Sequence, residues 1–116
     1  MEFKSNIPIY VQVVSDIKKR IINGTLHSGD KLPSTRELAN TYTINPNTAA
    51  RVYSELESEH ITFTKRGLGT FVSEDTALVQ NLRHEMADKV IDEFISEMKA
   101  IGCTKEEVIN DIKKKY

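Results

Sequence analysis

Asn45, Asn47, Thr48 and Arg51 fall within one short stretch of the chain. An amide offers a donor and an acceptor in one plane, a hydroxyl does both on one atom, and a guanidinium presents five donors in a rigid fork. Groups of this kind read base edges and grip phosphates. A second cluster, Lys65-Arg66-Gly67-Leu68-Gly69, sets two cations beside glycines that tolerate positive φ and close backbone approach. Ser34, Thr35 and Arg36 form a third polar group. By contrast, no nucleophile–base–acid set, phosphate loop or metal-ligand spacing is present, so neither an enzyme nor a cofactor is expected. His27, His60 and His84 are far apart in sequence, and no metal site is expected. Cys103 is the only cysteine, has no internal disulfide partner and reads as a small apolar residue.

The elements that must position these groups follow from periodicity. Ile9, Val13, Ile17 and Ile21 recur every four residues and predict a helix over 8–23, with Pro8 opening it and Gly24 just past its end. Residues 26–33 read as a loop or short strand. Ser34 and Glu37 have capping-box spacing and predict a short helix over 35–42 that buries Leu38, Ala39 and Tyr42. After a turn at Thr43-Ile44, Asn45 suits an N-cap and Pro46 the first residue of a third helix over 46–59. On that helix Ala49, Val52, Tyr53 and Leu56 share one side, while Asn47, Arg51, Ser54 and Ser58 share the other. Ile61-Thr62-Phe63-Thr64 and Thr70-Phe71-Val72 are rich in β-formers and predict a hairpin around 65–69.

A long helix over 76–101 and a short one from Thr104 to about 115 complete the chain. Gly102 separates them, and Thr104 with Glu107 forms a second capping box. The fold class is therefore mainly α with a small β-hairpin wing: a winged helix-turn-helix domain over 1–74, followed by a two-helix segment over 75–116. In such a domain the second helix of the helix-turn-helix enters the DNA major groove through its N-terminal residues.

The formal net charge of −1 over 116 residues argues at first against a nucleic-acid partner. The distribution is less even. Residues 1–72 carry nine basic and seven acidic side chains, a net of +2; residues 73–116 carry seven and ten, a net of −3. No apolar run reaches membrane-spanning length and no signal-peptide pattern opens the chain, so the cytoplasm is the expected compartment and no membrane partner is expected.

Four ordered stretches resemble the GntR family of bacterial regulators. They are Ile7-Pro8-Ile9-Tyr10, Gly29-Asp30-Lys31-Leu32-Pro33-Ser34-x-Arg36-Glu37-Leu38-Ala39, Asn45-Pro46-Asn47-Thr48 and Arg66-Gly67-x-Gly69-Thr70-Phe71-Val72. The short helical tail is similar to that of the YtrA-like branch. The resemblance implies DNA contact by Ser34, Thr35, Arg36, Asn45, Asn47, Thr48, Arg51, Lys65, Arg66, Gly67 and Gly69. It also implies control of an operon, often one encoding an ABC transporter. Other branches of the family place a base-reading arginine where this chain has Pro46, which moves the expected readout onto Asn47, Thr48 and Arg36. Each residue also has a plainer reading: Ser34, Asn45 and Pro46 serve as helix caps, and Arg36 and Arg51 as solvated charges.

The long helix carries Leu78, Leu82, Met86, Val90, Ile91, Phe94, Ile95, Met98 and Ile101 on a wide apolar stripe. One short helix offers too little surface to cover it within the chain. A second copy is the expected cover, and a two-fold dimer would present two recognition helices to a palindromic operator. The expected partners are double-stranded DNA and a second copy of the chain. A small-molecule effector at the dimer interface or between the two halves stays open. So does the alternative that the winged helix is a protein-interaction module without specific DNA binding.

Overall fold

The computed structural model describes residues 1–116. The elements run α1 (Ile9–Ile22), α2 (Thr35–Tyr42), α3 (Pro46–Ser58), β1 (Thr62–Lys65), β2 (Gly69–Val72), α4 (Thr76–Ala100) and α5 (Lys105–Lys115). The chain divides into two compact units, Met1–Leu82 and Arg83–Tyr116. The division falls inside α4, eight residues beyond the 74/75 boundary expected from sequence. No helix is long and apolar enough to cross a membrane.

The first unit is built around α3, which packs against α1, α2 and β1. Its apolar side is buried as the periodicity predicts: Ala49, Val52 and Leu56 are fully buried, and Tyr53 nearly so. Val13 and Ile17 of α1, Leu38 and Ala39 of α2, and Val72 of β2 close over them. Polar bonds pin the edges of this core. The Tyr42 hydroxyl donates to Asp16 Oδ2 at 2.6 Å, joining α2 to α1. The Tyr53 hydroxyl donates to the Pro33 carbonyl oxygen, joining α3 to the loop before α2. Lys18 pairs with Glu59 at 2.9 Å, across α1 and the end of α3.

The helix boundaries have local causes. Ser34 and Glu37 make the reciprocal capping box: the Glu37 N–H donates to Ser34 Oγ at 3.1 Å, and the Ser34 N–H donates to Glu37 Oε1 at 3.0 Å. Asn45 caps α3 by accepting the Asn47 N–H on Oδ1 at 2.8 Å, with Pro46 in the first turn. Pro8 differs slightly from expectation, standing as the N-cap of α1 rather than its first residue. Helix α2 ends with Thr43 in the left-handed region at φ 55°. There the Ile44 N–H donates to the Ala39 carbonyl and the Thr43 N–H to the Asn40 carbonyl, the two bonds of a Schellman ending.

β1 and β2 pair antiparallel from Thr62↔Val72 to Lys65↔Gly69. The Leu68 N–H donates to the Lys65 carbonyl, and Gly67 sits at φ +78°, the third position of a turn that demands positive φ. The stretch read as loop or strand before α2 resolves into a short pairing on the outer side of β2. Lys31 bridges Phe71, and the Leu32 N–H donates to the Thr70 carbonyl at 2.8 Å.

In the second unit α4 ends at Gly102 (φ +81°), and Thr104 and Glu107 form the capping box that opens α5. No residue from 83 to 116 is buried. Val90, Ile91, Phe94, Ile95, Ile101, Ile109 and Ile112 are all exposed large apolar side chains.

Candidate nucleic-acid interface

The polar residues singled out from the sequence occupy three places on the first unit. Asn45, Asn47, Thr48 and Arg51 stand in the first two turns of α3, on the side away from the core; Asn45, Asn47 and Arg51 are exposed and Thr48 half-buried. Asn45 is committed through its side chain to the cap, which leaves Asn47 and Thr48 as the short polar groups free to contact a partner. At this helix start Pro46 has no N–H and Asn45 takes those of Asn47 and Ala49, so the Thr48 N–H is the one left without a partner, at the positive end of the helix dipole.

Ser34, Thr35 and Arg36 stand at the start of α2. Ser34 is held by its capping bonds and Thr35 is half-buried, whereas Arg36 is exposed. The Glu37 carboxyl is held below its usual pKa, chiefly by the Ser34 backbone N–H and then by the Ser34 hydroxyl. It is charged at neutral pH and supports the cap, so α2 begins at a fixed residue and Arg36 projects from a defined turn.

The wing carries the third group. Arg66 and Gly67 are exposed at the turn, and Gly69 is half-buried at the start of β2. Lys65 lies back from the tip: its ammonium is 5.0 Å from the centre of the Phe71 ring and 5.5 Å from that of Phe63, and those two rings stack at 5.8 Å. Gly69 is favoured by its backbone, whose φ is +122°, a region that other residues rarely adopt.

Two contributors went unassigned in the sequence reading. Lys31 is exposed and lies against the wing through the Phe71 bridge. Tyr10 lies under Arg51, whose guanidinium carbon is 3.8 Å from the ring centre. Both residues belong to motifs already noted, Gly29–Ala39 and Ile7–Tyr10, yet neither spacing nor residue type showed that the chain would bring them to the reading helix and the wing.

The apolar stripe assigned to dimerisation splits between the two units. Leu82 is buried in the first unit, at 7 % exposure. Leu78, in the first unit, is half-buried. In the second unit Met86 and Met98 are half-buried, while Val90, Ile91, Phe94, Ile95 and Ile101 stay exposed.

Comparison with known proteins agrees with this layout. Residues 9–72 match the family described as bacterial regulatory proteins, gntR family. The chain is 43 % identical to the uncharacterized HTH-type transcriptional regulator YhcF of Bacillus subtilis (strain 168), over 97 % of this chain and 93 % of that one. It is 41 % identical to the HTH-type transcriptional repressor YtrA of the same organism, over 77 % of this chain and 73 % of that one. Among solved structures, a GntR family transcriptional regulator from Listeria monocytogenes superposes with a TM-score of 0.92 at 41 % identity, over 98 % of this chain and all of that one. AraR(DBD) in complex with operator ORX1 superposes with a TM-score of 0.56 at 27 % identity, over 63 % of this chain and 90 % of that one. The helix-turn-helix, the wing and these matches together place the chain in the GntR family of bacterial regulatory proteins, as a DNA-binding transcription regulator with a YtrA-type layout.

Proposed function

We propose that the protein is a homodimeric repressor that occupies a palindromic operator and blocks polymerase at an operon, in the cytoplasm. The observation that carries this reading is the two-sided character of α3: Ala49, Val52, Tyr53 and Leu56 are buried, while Asn47 and Arg51 are exposed on the other side, next to the helix start. In the bound state Asn47 and Thr48 meet base edges. Arg36, Arg51, Lys65 and Arg66 supply charge, Ser34, Thr35 and Asn45 hold the helix starts against the backbone, and Gly67 and Gly69 let the wing approach closely. An amide can bind adenine through two hydrogen bonds, worth roughly 1–3 kcal/mol of discrimination, so half-sites containing adenine are favoured.

The second unit joins two copies through Val90, Ile91, Phe94, Ile95 and Ile101, with Met86 and Met98 at the edge. Taking such a side chain from full exposure to full burial is worth roughly 1.5–3 kcal/mol, and those already partly covered contribute less. The family resemblance points to an operon for an ABC transporter; the same reading includes release or modulation by a small-molecule effector.

The test is selection of bound sequences from random DNA by the full chain, followed by gel-shift titration. Arg36→Ala combined with Asn47→Ala is expected to abolish operator binding while sedimentation still reports a folded dimer. Sequence-specific binding retained by that variant removes these residues from the interface. Binding that does not weaken as salt rises favours a protein partner over DNA, because phosphate contact releases counterions.

A further inference from the structure

Between the start of α1 and the start of α3 lies a shallow groove of about 360 Å³, lined by Ile9, Tyr10, Asn47, Thr48 and Arg51. Its polar groups are one guanidinium, two hydroxyls and one amide, and no carboxylate lines it. Arg51 makes no ion pair within the chain. Its guanidinium is nonetheless not free, because its central carbon lies 3.8 Å from the centre of the Tyr10 ring, within cation–π distance. Tyr10 in turn belongs to a fixed segment. Gln12, two residues along, ties down the chain before α1 by accepting the Lys4 N–H at 2.8 Å and donating to the carbonyls of Lys4 at 2.8 Å and Ile7 at 2.9 Å.

A guanidinium stacked on a ring uses its face and keeps its in-plane N–H donors for another partner. It has also given up part of its rotational freedom before any ligand arrives, which lowers the cost of binding. A cation with in-plane donors and no carboxylate nearby matches a phosphate, which accepts such donors in pairs. A base edge is a poorer match, since the stack holds the guanidinium against α1.

We propose that this groove seats one backbone phosphate of DNA, and that Tyr10 is a positioning residue that holds Arg51 on it. The inference rests on the reading above that α3 enters the major groove. It assigns Arg51 to affinity and register, and leaves sequence discrimination to Asn47, Thr48 and Arg36.

The experiment uses the full chain and the operator it selects from random DNA, with gel-shift titrations at several salt concentrations. The variants are Tyr10→Phe, Tyr10→Leu, Arg51→Ala, Arg51→Lys and the Tyr10→Leu/Arg51→Ala pair. Each is also tested on operators carrying a single neutral methylphosphonate at successive positions. Arg51→Ala is expected to weaken binding about tenfold and to lower the salt slope by about 1, the signature of one lost phosphate contact. One phosphate in each half-site should lose its sensitivity to neutralisation in Arg51→Ala while keeping it in the parent. Tyr10→Phe, which keeps the ring, should bind like the parent. Tyr10→Leu should weaken binding about threefold, roughly half of the Arg51 effect in free energy, and should cost nothing further in the Arg51→Ala background. Arg51→Lys, which keeps the charge and loses the planar face, should retain the salt slope and lose the dependence on Tyr10.

Equal costs of Tyr10→Leu in both backgrounds overturn the positioning role. A loss in Tyr10→Phe as large as in Tyr10→Leu also overturns it, and makes the hydroxyl the ligand. An altered base preference in Arg51→Ala with an unchanged salt slope makes Arg51 a base reader and overturns the phosphate site. If Arg51→Ala is silent while Arg36→Ala with Asn47→Ala abolishes binding, the phosphate site falls and the reading of α3 stands. If both are silent, both fall.

Discussion

The two units solve the problem of burying apolar surface in opposite ways. In Met1–Leu82 the apolar faces of three helices and a hairpin meet one another, and Val13, Ala49, Val52, Leu56 and Val72 have no exposure at all. In Arg83–Tyr116 two helices carry a comparable density of large apolar residues and bury none of them; Ile101 is 73 % exposed and Val90 63 %. Isolated helices gain little from propensity in water and depend on packing of an apolar face. The first unit therefore buries its apolar faces within one chain, and the second leaves its apolar stripe exposed, which is what the proposed association of two copies would cover.

The same substitution placed in each unit separates these two modes, and should have the largest effect of any tested here. Leu56→Asp puts an unpaired carboxylate at a fully buried site. The desolvation cost of several kcal/mol is comparable to the roughly 5–15 kcal/mol that holds a domain together. Circular dichroism should report an unfolded first unit at any protein concentration. Phe94→Asp, at a site that is 37 % exposed, should leave the first unit folded and convert the dimer to a monomer in sedimentation. Operator binding should then become weaker and lose its steep dependence on concentration. A dimer that survives Phe94→Asp would move the association elsewhere.

The same contrast explains how far the sequence could be read. Elements fixed by local rules were legible: Asn45-Pro46, the Ser34/Glu37 and Thr104/Glu107 boxes, and the buried side of α3 all follow from neighbours along the chain. Contacts between residues far apart in sequence were not. Arg51 over Tyr10, Lys31 against the wing, and the hydroxyls of Tyr42 and Tyr53 reaching Asp16 and Pro33 depend on how the elements meet. The stripe on α4 was visible as a four-residue repeat, but periodicity cannot tell a partner within the chain from one outside it. Leu82 is buried in the first unit and Val90 is exposed, although both lie on the same repeat. Charge was the weakest guide. The mild basic excess of residues 1–72 vanishes when the unit is extended to Leu82, because Glu74 and Asp75 join it. The proposed DNA interface rests instead on the local placement of Arg36, Arg51, Lys65 and Arg66.

Alkali should open the first unit, by a smaller margin than Leu56→Asp. Burial first, and then the Asp16 carboxylate, raises the Tyr42 phenol above its ordinary value; burial first, and then the Glu37 charge, raises that of Tyr53. Unfolded, both phenols ionise near pH 10; folded, they resist ionisation to higher pH. The stability they contribute is therefore fully present below about pH 10 and is lost as pH climbs from there towards their folded values. Urea midpoints should stay level with respect to these groups below that point and fall above it. Tyr42→Phe with Tyr53→Phe should flatten that fall while lowering stability at neutral pH, since both hydroxyl bonds are gone. An unchanged alkaline slope in the double variant would assign the fall to other groups.

The smallest effect tests the turn that sets α2 against α3. Thr43 ends α2 in the left-handed region, where a β-branched residue crowds the backbone. Glycine has no such crowding, and the left-handed conformation costs other residues roughly 1–2 kcal/mol. Thr43 is exposed and its side chain makes no hydrogen bond, so its replacement removes no packing. Thr43→Gly also loosens the unfolded chain, which offsets part of the gain. A net stabilisation of about 0.5–1 kcal/mol is expected, read as a higher urea midpoint of the first unit. Because the Schellman bonds of Thr43 and Ile44 stay in place, operator affinity should not change. A loss of affinity without a loss of stability would show that the strained threonine helps to hold the angle between the two helices, and would place part of the reading geometry in the turn itself.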